Sequence, residues 1–143
     1  MTAAYDDQNI FAKILRGELP CTKLYEDAHA FAFMDIMPRG QGHLLVIPKT
    51  PARNILDVAP EALAGIMPAV QKLARAAKAA LGADGVSVHQ FNEVAGGQVV
   101  FHLHFHVIPR FEGVELARPG GPMVPAAELE PLAAKIRAAL ASS

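Results

Sequence analysis

Apolar residues recur along this chain at helical spacing in three places and at alternating or continuous spacing in between. From Asn9 to Leu15 the apolar positions Ile10, Phe11, Ile14 and Leu15 return at one-, three- and four-residue steps. That is the stripe of a short amphipathic helix, with Asn9 as its cap and Gly17 as its end. After Pro20 come three extended runs, Thr22–Glu26, Ala30–Met34 and Gly42–Pro48, with Pro38-Arg39-Gly40-Gln41-Gly42 as the turn between the second and third. They read as consecutive antiparallel strands. Between Pro60 and Leu81, Leu63, Ile66, Met67, Val70, Leu73, Ala74, Ala77 and Leu81 face one way, and Gln71, Lys72, Arg75 and Lys78 the other. A long helix is expected there, ended by Gly82. Pro68 lies inside it, removes a backbone donor and predicts a kink or a split into two shorter helices.

The second half predicts a hairpin: a strand over Val86–Asn92, a glycine-containing loop over Glu93–Gly97, and a strand from about Gln98 to Pro109. Residues 111–125 hold too much Gly and Pro for regular structure. Ala126–Ala141 returns to helical spacing through Leu129, Leu132, Ile136 and Leu140, and this last helix is expected to pack on the same domain. At 143 residues the chain is read as one domain over 1–143, with its core at about 9–110 and a C-terminal tail and helix at 111–143.

Charge and composition narrow the partners. Thirteen Lys and Arg against 14 Asp and Glu give a formal charge of −1, so the basic footprint of a nucleic-acid or anionic-membrane binder is missing. Any polyanion held here must be small. No run of 18 apolar residues is present to span a bilayer. A single cysteine, Cys21, and a start without basic and apolar signal regions point to a reducing cytoplasm. What remains unexplained is six histidines, four of them in two short apolar segments.

Three of these fall in Gln98–Pro109, QVVFHLHFHVIP. On a strand, alternation puts Gln98, Val100, His102, His104, His106 and Ile108 on one face and Val99, Phe101, Leu103, Phe105 and Val107 on the other. The apolar face must be buried. The histidine face is an unusual solvent surface, since exposed faces carry Lys, Glu, Thr or Ser. A metal site is one reading, but His102 and His106 start roughly 13 Å apart on a regular strand. Three imidazoles cannot then converge to about 2.0–2.1 Å from one zinc ion without a bulge. A row of imidazoles suits an extended phosphate better. One neutral ring can attack phosphorus while protonated neighbours donate to its oxygens and to the leaving group. Gly96 and Gly97 let the backbone approach a phosphate and offer amides to it.

From Asn92 through Gly96-Gly97-Gln98, His102-Leu103-His104-Phe105-His106 and Val107-Ile108-Pro109-Arg110, the sequence closely resembles the histidine-triad (HIT) family of nucleotide hydrolases and transferases, in its short Hint-type or bacterial branch. Upstream, Ile10–Ile14 with Gly17-Glu18-Leu19-Pro20, Ala32–Ile36 with Pro38, and Gly42–Lys49 extend the likeness. The resemblance implies an α+β domain with a five-stranded antiparallel sheet, two main helices and a C-terminal helix, forming a homodimer and binding a purine nucleotide on the sheet. It implies that His104 attacks the α-phosphorus of a nucleoside phosphoramidate or dinucleotide, giving a nucleotidyl-histidine that water resolves. His102 would orient the nucleophile, partly through its carbonyl, and His106 would contact phosphate or the departing group. His43 matches a separate upstream histidine expected beside His104, and Asp35 the acceptor for the ribose hydroxyls. Ile10, Phe11, Ile14, Phe33 and Ile36 match the walls of a base pocket. Asn92, Gly97 and Gln98 match groups around the phosphate.

Without the resemblance, the apolar residues read as plain core, Asp35 as a turn residue and His43 as a strand-edge histidine. His29 and His89 match no family site: His29 reads as a loop residue and His89 as lying on the opposite face from Asn92. Many relatives carry Ser, Thr or an acid where Val99 stands. Zinc-binding members carry Cys-x-x-Cys where this chain has Asn9 and Ala12, and His where it has Pro51. Neither a metal nor another cofactor is therefore expected.

Overall fold

The computed structural model describes residues 4–143. Helix α1 (Ile10–Leu15) forms as its spacing predicts, and Asn9 caps it by accepting the Ala12 amide at 2.9 Å. Strands β1 (Lys23–Glu26), β2 (Ala30–Met34) and β3 (Leu44–Pro48) follow, each antiparallel to the one before. Helix α2 (Pro60–Leu81) then leads to β4 (Gly85–His89), β5 (Phe105–Arg110) and helix α3 (Ala126–Ala141). The strands form one five-stranded antiparallel sheet in the order β1-β2-β3-β5-β4. The architecture is therefore the expected α+β one.

Alternation along the strands divides the sheet into two unlike faces. Ala30, Ala32 and Met34 of β2, Leu44 and Val46 of β3, and Phe105 and Val107 of β5 join Ile66, Val70 and Leu73 of α2 and Leu129 and Ile136 of α3 in the main core. Burying each large aliphatic side chain contributes about 1.5–3 kcal/mol. On the opposite face Phe33, Leu45 and Ile47 form a smaller cluster with Phe11 of the short α1, on which Ile14, Phe31 and Val100 also pack. The rest of that second face carries Asp35, His43, His106 and His89.

Two expectations about the elements are corrected. Helix α2 is one continuous 22-residue element containing Pro68, so the split into two shorter helices does not occur. Pro68 and Ala64, whose carbonyl loses its usual partner, are both exposed, so water can satisfy what the proline leaves open. The strand expected from Gln98 begins only at Phe105. Upstream of it Leu103 donates to Ala52 O at 2.9 Å instead of to a strand, and Pro48, ending β3, has no N–H with which to extend the ladder. Alternation therefore fails over 98–104: Val99, assigned to the buried face, is 82% exposed, while Gln98, His102 and His104 are buried.

The turn into β3 depends on glycine. Gly42 has φ +83°, and a Cβ there would enter the Leu81 side chain and lie 3.1 Å from Pro109 Cγ. The segment after β5 crosses back over this turn: Ala117 N donates to Arg39 O at 2.8 Å, Arg39 Nε to Ala117 O at 2.8 Å, and Val124 N to Ile36 O at 2.7 Å. The irregular tail thus braces the loop between Asp35 and His43. Among the described residues, no helix is long and apolar enough to cross a membrane.

Candidate active site

His102 and His104 lie just before β5, and backbone carbonyls fix their protons. His104 Nδ1 is 2.6 Å from His102 O. A carbonyl only accepts, so Nδ1 carries the hydrogen, and in the neutral ring Nε2 keeps its lone pair. Phe11 stands edge-on to the His104 ring at 4.9 Å between centroids, and His106 lies at the same distance. His102 donates from Nε2 to Pro48 O at 2.9 Å, and its Nδ1 accepts the Tyr5 hydroxyl at 2.6 Å.

His43 is placed beside His106, not beside His104 as expected. The register pairs Leu45 with His106, and His43, two residues before Leu45, shares that face. Arg39 N donates to His43 Nδ1 at 2.9 Å, so Nε2 holds the proton and donates to His106 Nδ1 at 2.9 Å. His106 is left with its own hydrogen on Nε2. Asp35 Oδ1 accepts the Met37 amide at 2.8 Å, and its Oδ2 lies 3.4 Å from His43 Nε2. The carboxylate is thus a turn residue through one oxygen and a site residue through the other. His89 also joins this face: it is the cross-strand partner of His106, with Phe91 in contact with both rings. The strand expected to run on to Asn92 ends at His89. Only the register with β5 reveals that His89 shares a face with His106.

The phosphate loop is built differently from the sequence expectation. Gln98 is 4% exposed and fully engaged: Oε1 accepts from Asn54 Nδ2 and Glu93 N, and Nε2 donates to Arg53 O and Val100 O, at 2.7–3.0 Å. Nothing of its amide remains for a phosphate. Glu93 takes φ +64°, held by two bonds from Arg53 and one from Asn54. The amides of Gly96 and Gly97, expected to bind phosphate, turn inward to Glu93 O and Val94 O at 3.0 Å. Gly97 is needed for its φ of +98°, which ends the tight turn over Val94–Gly96. Asn92 accepts from Ile55 N and exchanges bonds with Gln90, which leaves one Nδ2 hydrogen unspent. The amides of Val99 and Val100 bond no other described residue. The sequence reading missed Arg53 and Asn54; nothing in their local pattern marks them, because their partners lie about 40 residues on.

The apolar residues assigned to a base pocket separate into two groups. Phe11 and Phe33 are buried against each other at 5.4 Å, with Ile14 packed on their cluster. Ile10 and Ile36 are 47% and 42% exposed, large apolar surfaces open at the edge of this face.

Burial dominates the electrostatics. It pushes the pKa of His43 and of His102 from 6.5 to about 4, and that of His106 to about 3; His104 is also lowered, again mainly by burial. Asp35 works against this at His43, while Arg39, His89 and the other rings add to it. The site therefore holds neutral imidazoles near pH 7, not the protonated neighbours expected, and its donors are neutral N–H groups. A consequence for stability follows with a definite sign. Unfolded imidazoles take up protons below about pH 6.5 while the folded ones still exclude them, so stability present above pH 6.5 is lost as pH falls toward 4. Each such group contributes a slope of about 1.4 kcal/mol per pH unit. Melting curves between pH 7.5 and 4.5 should show this decline, and His102→Gln should flatten it.

Asp35, His43 and His106 bring donor atoms within 4.8 Å of one another, close enough to suggest a metal centre. The proton positions argue against it. His43 Nδ1 already accepts the Arg39 amide, so Nε2, the atom facing the other two, carries hydrogen and has no lone pair to give. The zinc position of some relatives fits no better. Asn9 spends its side chain on Ala12, Tyr5 and Asp6, and the side chains of Ala12 and Pro51 offer no metal ligand.

The family model described as HIT domain matches residues 16–113. An adenosine 5′-monophosphoramidase of Schizosaccharomyces pombe is 43% identical over 101 residues, 71% of this chain and 73% of the relative. A HIT-like protein of Bartonella henselae, solved with an unknown ligand, is 54% identical and superposes with a TM-score of 0.90 over 95% of this chain and 99% of its own. A zinc-bound histidine triad protein of Mycobacterium smegmatis is 37% identical, with a TM-score of 0.84 over 94% of each chain. With three histidines at alternate positions before and within β5, a fourth delivered by the turn into β3, and this match across most of its length, the chain belongs to the HIT-domain family.

Proposed function

We propose that the protein hydrolyses purine nucleoside 5′-phosphoramidates, or related AMP or GMP conjugates, through a covalent nucleotidyl-His104 intermediate. The observation that carries this reading is the bond from His104 Nδ1 to His102 O, which leaves a neutral Nε2 lone pair in a water-poor site. Nε2 attacks the α-phosphorus as the P–N bond breaks. The leaving nitrogen takes the proton from His106 Nε2, and the 2.9 Å bond from His43 Nε2–H to His106 Nδ1 stabilises the ring that has given it up. The positive charge appearing on the His104 ring then faces a His43–His106 pair that has given up a proton. Water attacks phosphorus, returns that proton to His106, and releases the nucleoside monophosphate and neutral His104. Asp35 Oδ2 accepts ribose hydroxyls, while Ile10, Phe11, Ile14, Phe33 and Ile36 hold the base. Asn92 and the Val99 and Val100 amides serve the phosphate. No step in this route calls on a metal ion, and the working unit is read as a homodimer.

A panel of adenosine phosphoramidate, guanosine phosphoramidate and diadenosine polyphosphate tests the reading. Release of amine from either phosphoramidate at a higher kcat/KM than cleavage of the polyphosphate supports it. Preference for the polyphosphate would reassign the leaving group to phosphate chemistry. AMP binding without turnover of any member would make the protein a nucleotide-binding scaffold.

A further inference from the structure

The contact between Tyr5 and His102 is used by none of the steps above. The Tyr5 ring stands edge-on to His102 with centroids 5.6 Å apart, and its hydroxyl lies 2.6 Å from His102 Nδ1. His102 is 1% exposed, and its Nε2 is committed as a donor to Pro48 O. Its Nδ1 therefore needs a donor, and the Tyr5 hydroxyl supplies one. That hydroxyl accepts in turn from Asn9 Nδ2 at 3.0 Å, so its proton is directed at the imidazole. Asn9 is also the cap of α1, the helix that sets Phe11 edge-on against His104. A continuous set of bonds thus runs from the start of α1 through Tyr5 and the His102 ring. It ends at the His102 carbonyl, which holds His104 Nδ1–H at 2.6 Å.

We infer that Tyr5 is a positioning residue for the nucleophile: it clamps the His102 ring at Nδ1 opposite Pro48 and so keeps the His102 carbonyl aimed at His104 Nδ1. Both ends of the ring are then fixed, and the neutral Nε2–H form of His102 is the only one that satisfies Tyr5 and Pro48 together. A carbonyl displaced from His104 Nδ1 would let that ring rotate or exchange tautomers, and the Nε2 lone pair would no longer be held on phosphorus. This inference rests on the proposed hydrolysis and adds to it a residue far from the triad in sequence.

Tyr5→Phe is the test, because it keeps the ring and its edge contact and removes only the oxygen. Two readouts on the full chain decide it. Steady-state turnover of adenosine phosphoramidate should show kcat reduced about tenfold with KM within about twofold, the scale on which supporting hydrogen bonds to a working imidazole act. Nitrogen-15 spectra of the histidine rings should show His102 as a single Nε2–H tautomer in the wild type and as a mixture in Tyr5→Phe. A kcat within twofold of wild type, a loss carried by KM alone, or an unchanged His102 spectrum overturns the inference. If the wild-type protein turns over no phosphoramidate, the proposed function fails while the ring spectra still decide the role of Tyr5. A melting temperature measured alongside separates either result from loss of fold.

Discussion

His104→Ala is expected to lower kcat for an adenosine phosphoramidate on the order of 10⁴-fold, the scale of losing a covalent nucleophile. The reasoning is structural. Of the four site histidines, His104 alone has one ring nitrogen tied to a carbonyl acceptor and the other left without a partner among the described residues. Burial keeps that nitrogen deprotonated near neutral pH and strips it of competing water. No neighbour can take its place: His106 presents N–H where a lone pair is needed, and His102 is bonded at both nitrogens. Rapid quench in alkaline denaturant, which preserves a P–N bond, followed by intact mass should show an increment the size of one nucleotidyl group on the wild-type chain and none on His104→Ala. Turnover persisting in that variant above a hundredth of the wild-type rate would sink the covalent route. His106→Ala should cost less, about 10²- to 10³-fold, and the loss should shrink as the leaving amine becomes more acidic, because a better leaving group needs less protonation.

The second large effect is expected at Gln98, where the sequence likeness and the structure assign different jobs. As a phosphate ligand, Gln98→Ala would raise KM and leave the fold alone. In the structure its amide joins three segments, Arg53–Asn54, Glu93 and Val100, through four hydrogen bonds at a buried position. Removing it leaves the side chain of Asn54, itself 0% exposed, and the amide of Glu93 short of an acceptor. Unsatisfied buried groups cost about 1–3 kcal/mol each. Glu93 would also lose a partner that holds its positive φ, a conformation costing on the order of 1 kcal/mol or more. Gln98→Ala should therefore lose about 3 kcal/mol, roughly a 10 °C fall in melting temperature for a domain of this size. Activity should fall with the folded fraction and with disorder of the loop that carries Val99 and Val100. An unchanged melting temperature together with a raised KM would return Gln98 to the phosphate.

Neutrality of the site also revises how phosphate is handled. Composition shows a chain with almost no net charge and six histidines, from which cationic imidazoles are the expected phosphate ligands. Burying four rings together makes that expensive, since each charge would be desolvated and would repel the next. What the fold offers instead is neutral N–H groups and backbone amides held in place before any ligand arrives, with one deprotonated nitrogen among them.

Local pattern carried much of this protein. The periods of α1, α2 and α3 and the runs of β1 to β3 follow from side-chain spacing, which repeats within a few residues and needs no distant partner. The triad is legible because a row of imidazoles makes an unusual strand face, whereas His43 and Asp35 stand out only through the family resemblance. The errors share one cause. A split at Pro68 is expected because the sequence does not say that the proline faces water. The triad was given a full strand because alternation over 98–104 looks the same whether or not a neighbour is present to pair with it. His43 was set beside His104, and His89 was set aside, because the β3–β5 and β4–β5 registers are absent from any one segment. Gln98 and Gly97 were given to phosphate because hydrogen-bond saturation is a property of the folded surroundings. Local pattern thus carries the helices, most of the strands and the presence of a histidine row. Which proton sits on which nitrogen, and which groups remain unspent for a ligand, was decided only when distant segments met, since a donor is committed only once its acceptor has been brought within about 3 Å.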